Sequence, residues 1–483
     1  MRKILFGVFG CLVAVCAHAA QVANLDYVHK LIQQKWDISI PIKADNPMLA
    51  ANMKYLLTAV DVANEILNGE KTTDYGNGEF ATIQAADTTA TNQAVDTLIK
   101  EETPYEFKLT TTSDTTSFSF SISAAGEFIV NWGDGKTETI TKPDTTNTTY
   151  SHTYSTSKSY TIKLTGQATA YNTSTGTAAI SFYSSASKIA SIDGSLGAIF
   201  GTLPDATEKQ PRFYNTFYNA TNMTGSIPSD LFAGISGEPA SSMFSGTFSG
   251  CRGLTGAIPD GLFGNLTGAP ASYMFSNTFY GCSGLSGSIP SDLFAGISGN
   301  PASYMFTSTF YGCSGLSGSI PDGLFAGISG NPASSMFMST FEGCSGLTGA
   351  IPDGLFAGIS GNPAMSMFYS TFYGCSKLTS IPAGLFAGIS GKPAGYIFAE
   401  TFSGCSGLTS IPENLFGNIS GTAQSDMFYG TFFDCTSLTG PSARINGQYL
   451  YEIWPSATTT QVDDMYYNAT GLSDYSSIPS AWK

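Results

Sequence analysis

The rhythm of hydrophobic and polar positions changes twice along the chain. Between residues 20 and 101 it is helical. Leu49, Met53, Leu56, Val60, Ala63 and Leu67 step by alternating four and three, a 3.5-residue period that predicts an amphipathic helix. Asn46 stands where an N-cap belongs, Pro47 at the first helical position and Gly69 at the stop. With Leu25–Trp36 as a partner, this helical N-terminal segment is either an intramolecular hairpin or a stalk that self-associates through Leu49–Leu67. From 102 to 183 the period falls to two. "SFSFSIS" sets Phe118, Phe120 and Ile122 on one face, and "YTIKLTG" does the same with Tyr160, Ile162 and Leu164. Polar turn clusters between such runs predict a small β-sandwich.

From 184 to 483 one frame keeps returning. Cys251, Cys282, Cys313, Cys344 and Cys375 are spaced by 31, and Cys405 and Cys435 follow at 30. The lost residue is visible where "GLTGAIP" becomes "KLTSIP". A period of 30–31 predicts a solenoid of stacked coils. In the coil at 299–328, Asn300 caps a helix that Pro301 starts and Gly312 to Gly315 end. Ala302, Phe306, Phe310 and Cys313 make its buried stripe. Leu316 and Ile320 then point inward from a short strand whose Ser317 and Ser319 face out. After Pro321, "DGLFAGI" adds a second turn of helix burying Leu324, Phe325 and Ile328. The end units carry Ala220 and Ala469 in place of the cysteine, as caps facing water would.

Two resemblances follow from these residues. "NWGDG" (131–135), "SHTY" (151–154) and "YTIKLTG" are similar to the polycystic-kidney-disease (PKD) type of immunoglobulin-like domain. That likeness implies a non-catalytic extracellular spacer or binding module over 102–183. Gly133-Asp134-Gly135 reads independently as a hairpin turn, and His152 as a structural histidine rather than a catalytic one. "TFYGCSGLSGSIP", "TFSGCSGLTSIP" and their siblings resemble bacterial surface leucine-rich repeats of the BspA-like type, and "LTGAIP" also looks like the plant-type leucine-rich repeat. The BspA-like resemblance covers 184–483 and implies exported adhesins that bind host or partner surfaces. The expected fold is therefore multidomain: a helical segment, a PKD-like β-sandwich, and an α/β leucine-rich-repeat solenoid with capping end repeats.

The opening residues 1–19 read as a signal peptide. Arg2 and Lys3 precede an apolar run from Ile4 to Cys16, and Ala17-His18-Ala19 makes a cleavage site. A lipid anchor on Cys11 or Cys16 is the weaker reading. The mature chain is then exported, extracellular or at the cell surface, with no later stretch of transmembrane length. A formal net charge of −15 argues against nucleic acid or an anionic membrane as partner.

The seven repeat cysteines form a ladder. No C-x-x-C pair suggests zinc, and equivalent side chains in a stack point the same way, so free buried thiols fit better than disulfides between coils. Outside the signal, only His29 and His152 offer an imidazole, too few for a nucleophile, base and orienter. Asp230, Asp260, Asp292, Asp322 and Asp353 recur after "IP"; they read as helix N-caps, or as a weak calcium row if several coils converge. No enzyme and no cofactor is expected.

Two binding surfaces remain. The strand face displays Thr255, Ser286, Ser288, Ser317, Ser319 and Thr348. The helix exterior carries Tyr273, Tyr280, Tyr304, Tyr311, Tyr373 and Tyr396, which either pack laterally between coils or meet a ligand, as interface tyrosines do. The expected function is adhesion to a host or partner protein or to mucin. The alternatives are a glycan-binding module for polysaccharide use and a self-assembling coat.

Overall fold

Alternating apolar residues open the described part of the chain. The computed structural model describes residues 106–203 and 210–483; the signal sequence, His29 and the helix expected over 20–101 lie outside the described residues. Strands β1 (Phe107–Thr111), β2 (Ser117–Ile122), β3 (Ala124–Asn131), β4 (Thr137–Lys142), β5 (Thr148–Thr153), β6 (Thr161–Tyr171), β7 (Ile180–Ser181) and β8 (Ile189–Gly194) come first. They divide into a five-stranded sheet, ordered β4-β3-β6-β1-β8, and a three-stranded sheet, ordered β5-β2-β7. All pairings in both are antiparallel. Phe118, Phe120 and Ile122 are buried in β2 while its serines are not, the alternation of a sheet with one covered face. Aromatic rings fill the space between: Phe120 lies 5.6 Å from Trp132, and Phe107 stacks on Phe182 at the same distance.

Hydrogen bonding runs on from this region into the repeats. Phe182 N–H donates to the Thr216 carbonyl and Gly197 N–H to that of Leu231, both at 2.9 Å. The rings of Phe182 and Phe217 stack at 5.4 Å, so the first repeat packs directly on this region.

The α/β leucine-rich-repeat solenoid expected from the sequence is overturned. Among the described residues, α-helix is confined to α1 (Leu450–Ile453) and α2 (Thr459–Val462), both after the last cysteine. Between the first and last repeat cysteines, strand is reduced to β9 (Gly349–Ala350), β10 (Leu378–Ser380), β11 (Ser390–Gly391) and β12 (Asn418–Ile419), with isolated parallel bridges such as Gly318 with Leu347. The expected short helix at "DGLFAGI" and the longer one from Pro301 are both turns.

The reason lies in every fourth residue. Tyr304 (φ 60°), Ser308 (52°) and Gly312 (67°) are all left-handed, which no α-helix of L-residues tolerates. Each is the third residue of a turn, the position a type II turn reserves for positive φ. The turns are closed by Met305 N–H to Ala302 (3.4 Å), Thr309 N–H to Phe306 (3.2 Å) and Cys313 N–H to Phe310 (3.0 Å). The intervening groups leave the repeat. N–H of Tyr304, Phe306, Ser308, Phe310 and Gly312 donate to carbonyls of Ser334, Met336, Met338, Thr340 and Glu342, at 2.6–3.0 Å. An α-helix would use those groups internally; here half of them tie each repeat to the next.

Side chains follow the backbone in register. Phe275, Phe306 and Phe337 stack at 5.7 and 5.8 Å, and Phe279, Phe310 and Phe341 at 5.7 Å. Phe294, Phe325 and Phe356 form a third stack at 6.0 and 6.2 Å. Where the repeat shortens to 30, the β9–β10 pairing shifts register between Leu378 and Ser380. At the C-terminal end Trp454 and Trp482 approach Phe428, and Tyr466 stacks on Phe432 at 5.9 Å. Ala220 and Ala469 are fully buried at the cysteine position. Among the described residues no helix is long and apolar enough to cross a membrane.

Candidate functional site: a tyrosine face on the turn ladder

Pairing in register turns equivalent residues into columns, and the outward columns of the turn ladder carry the tyrosines. Tyr273 and Tyr304 stack at 4.6 Å with ring planes 3° apart. Tyr280 and Tyr311 stack at 4.4 Å and 8°. Tyr273 is 44% exposed and Tyr280 37%, while Tyr304 and Tyr311 are half-buried. Tyr373 and Tyr396 are also exposed, and Tyr396 meets Tyr369 edge-on at 6.4 Å. The helix exterior expected to hold these residues does not exist; the turns hold them instead. Lateral packing and exposure coexist, since the rings lean on one another and still offer edge and face to solvent.

Three of these tyrosines are strained. Tyr273, Tyr304 and Tyr396 sit at φ 58–60°, where other repeats place Ser242, Ser335, Ser366 and Asp426. A bulky side chain in this region costs about 1–2 kcal/mol. The left-handed conformation belongs to the turn itself, since the serines and the aspartate of this column share it.

Acidic groups border the rings. Glu342 occupies the column of Tyr280 and Tyr311, and its charge, followed by burial, pushes the Tyr311 hydroxyl up to about 12. Burial raises the Glu342 carboxyl itself. Burial, then the hydrogen bond to Glu400, takes Tyr369 to about 12, and Glu400 also accepts from Ser370 at 3.1 Å.

The cysteines lie behind this face. All seven are free and buried. The Cys313 Sγ donates to the Phe279 carbonyl of the preceding repeat at 3.0 Å; Cys344 does so to Phe310 at 3.0 Å and Cys375 to Phe341 at 3.1 Å. Burial pushes the thiols up, to about 12 at Cys251, Cys375 and Cys435, which removes the thiolate that reactivity requires. Buried threonines form a parallel ladder: Thr309 Oγ1 lies 2.8 Å from the Phe306 carbonyl and 3.0 Å from that of Phe275.

Thr255, Ser286, Ser288, Ser317, Ser319 and Thr348 are exposed on another face, with the recurring aspartates Asp230, Asp260, Asp292, Asp322 and Asp353 also exposed. Those aspartates have no helix to cap. Among the described residues no group of three or more His, Cys, Asp or Glu side chains is placed to hold a metal ion. His152 Nε2 lies 2.9 Å from Asp134 Oδ2, under the Trp132 ring at 5.0 Å. The His152 hydrogen bond holds the Asp134 carboxyl below its usual range. Beside it the Tyr154 hydroxyl donates to the Trp132 carbonyl at 2.9 Å. Those contacts lock the β3–β4 hairpin, where a Cβ on Gly133 (φ 82°) would lie 2.6 Å from the Thr161 carbonyl.

Sequence reasoning missed the end of the tyrosine column. Tyr218 stands after Phe217 as Tyr280 stands after Phe279, and Tyr183 follows Phe182 in the segment that pairs with the first repeat. "NTFYNAT" and "NTFYGCS" share one frame, so register alone could have found Tyr218. Comparison with protein-family models, curated proteins and solved structures returns no match to this chain.

Proposed function

We propose that the protein is an exported, non-catalytic recognition protein, an adhesin that holds a host or partner protein, or mucin, against its tyrosine face. The observation that carries this reading is the pair of partly exposed ring stacks, Tyr273 with Tyr304 and Tyr280 with Tyr311. Tyrosine supplies contact area at low entropic cost and is enriched where binding energy concentrates. A column repeated along the array multiplies weak contacts into useful avidity. The likeness of "TFYGCSGLSGSIP" to BspA-like surface proteins supports the same direction. A glycan ligand is the second reading, favoured by stacked tyrosines at the surface.

The experiment is binding of the full chain to immobilised mucin and matrix proteins, with free sugars as competitors. Saturable binding that sugars do not displace supports a protein partner. Displacement by sugars selects the second reading, and no binding to either surface counts against adhesion.

A further inference from the structure

The junction between the sheets and the first repeat holds a cleft of about 270 Å³. Its walls include Asn147, Ser181, Tyr183, Tyr214, Asn215 and Tyr218. Tyr183 is 61% exposed, and its ring lies 5.7 Å from that of Tyr218 at 54°. At this angle the two rings are tilted against each other rather than stacked face to face. Between them stand amides and hydroxyls; among the described lining residues there is no carboxylate, imidazole, ammonium or guanidinium.

We propose that this cleft is a separate binding site for one neutral sugar ring. A pyranose has apolar C–H faces and a rim of hydroxyls, which aromatic faces and side-chain amides match. An anionic ligand would find no cation among these walls. The volume lies just below the ~300–1,000 Å³ usual for drug-sized ligands, room for a single ring rather than a chain. The site is fixed on both sides. The Asn172 side chain holds the 145–147 loop by donating to the Thr145 carbonyl at 2.8 Å. Asn215 N–H donates to the Ser245 carbonyl at 2.9 Å.

The test is titration of the full chain with D-glucose, D-galactose, D-mannose, L-fucose and N-acetylglucosamine, read by saturation-transfer NMR, with sialic acid as the anionic comparator. At least one neutral sugar binds in the millimolar range, and Tyr183→Ala weakens it about tenfold or more, whereas Tyr183→Phe keeps most of it. Sugar binding lost in Tyr304→Ala but kept in Tyr183→Ala would belong to the tyrosine face and overturns the proposal. Tyr183 is exposed, so its replacement spares the fold, and an unchanged melting temperature verifies this. No neutral sugar bound at tens of millimolar, preference for sialic acid, or indifference to Tyr183→Ala overturns the proposal.

Discussion

The rings of Tyr273 and Tyr304 lie parallel at 4.6 Å, one repeat apart, and both residues hold φ near 60°. Ser242 and Ser335 hold the same left-handed backbone in the flanking repeats without a ring to stack. Replacing Tyr304 by asparagine relieves the strain of about 1–2 kcal/mol and forfeits a stack worth about 0.5–1.5 kcal/mol. Stability of Tyr304→Asn in urea is therefore expected within about 1 kcal/mol of wild type while partner binding falls. A large destabilisation would assign the ring to packing instead.

The cysteine ladder makes a second expectation. Cys313→Ala removes the thiol that donates to Phe279 and leaves a small void, at a cost of about 1–2 kcal/mol. Ala220 and Ala469 already stand at this position in the end units. Native protein should resist thiol reagents and expose its repeat cysteines only on unfolding; labelling of Cys313 in the folded state would contradict its burial.

Those thiols also set an alkaline limit. In the folded chain Cys251, Cys375 and Cys435 keep their protons up to about pH 12, against an ordinary value of 9.0. Above about pH 9 the unfolded chain therefore binds fewer protons than the folded one, and stability falls as pH rises through the window from 9 to 12. Each such thiol contributes a slope of about 1.4 kcal/mol per pH unit. Urea midpoints measured at pH 9, 10 and 11 should drop progressively, and a flat profile would contradict the buried ladder.

Buried threonine hydroxyls link the repeats. Thr340 Oγ1 lies 2.8 Å from the Phe337 carbonyl and 3.0 Å from that of Phe306. Thr340→Val keeps the shape and removes the bridge, with an expected loss of about 1 kcal/mol by urea unfolding. No loss would mean that the backbone ladder alone joins the repeats.

Much of the inward pattern was legible before the structure. Phe306, Phe310, Cys313, Leu316, Ile320, Leu324, Phe325 and Ile328 are all buried, because a 31-residue period shows which positions every repeat keeps apolar. The secondary structure of the repeats was not legible, because a four-residue turn period resembles the 3.6 of a helix over three steps. The discriminating signal sits at the left-handed positions, where Ser335, Ser339 and Gly343 or Ser366, Ser370 and Gly374 appear four apart. Tyr273 and Tyr304, the residues of most functional interest, disguise that signal in their own repeats. The ring pairs themselves depend on which N–H groups leave the repeat, and no linear pattern reports that.

The most direct test of the account is partner binding by a Tyr280→Ala/Tyr311→Ala variant of the full chain, beside its thermal unfolding. Affinity is expected to fall about tenfold or more, as for a central aromatic pair. The melting temperature is expected to move by only a few degrees, because the pair lies on the outer face of the ladder. Unchanged affinity with an intact fold would contradict the claim that this face does the binding.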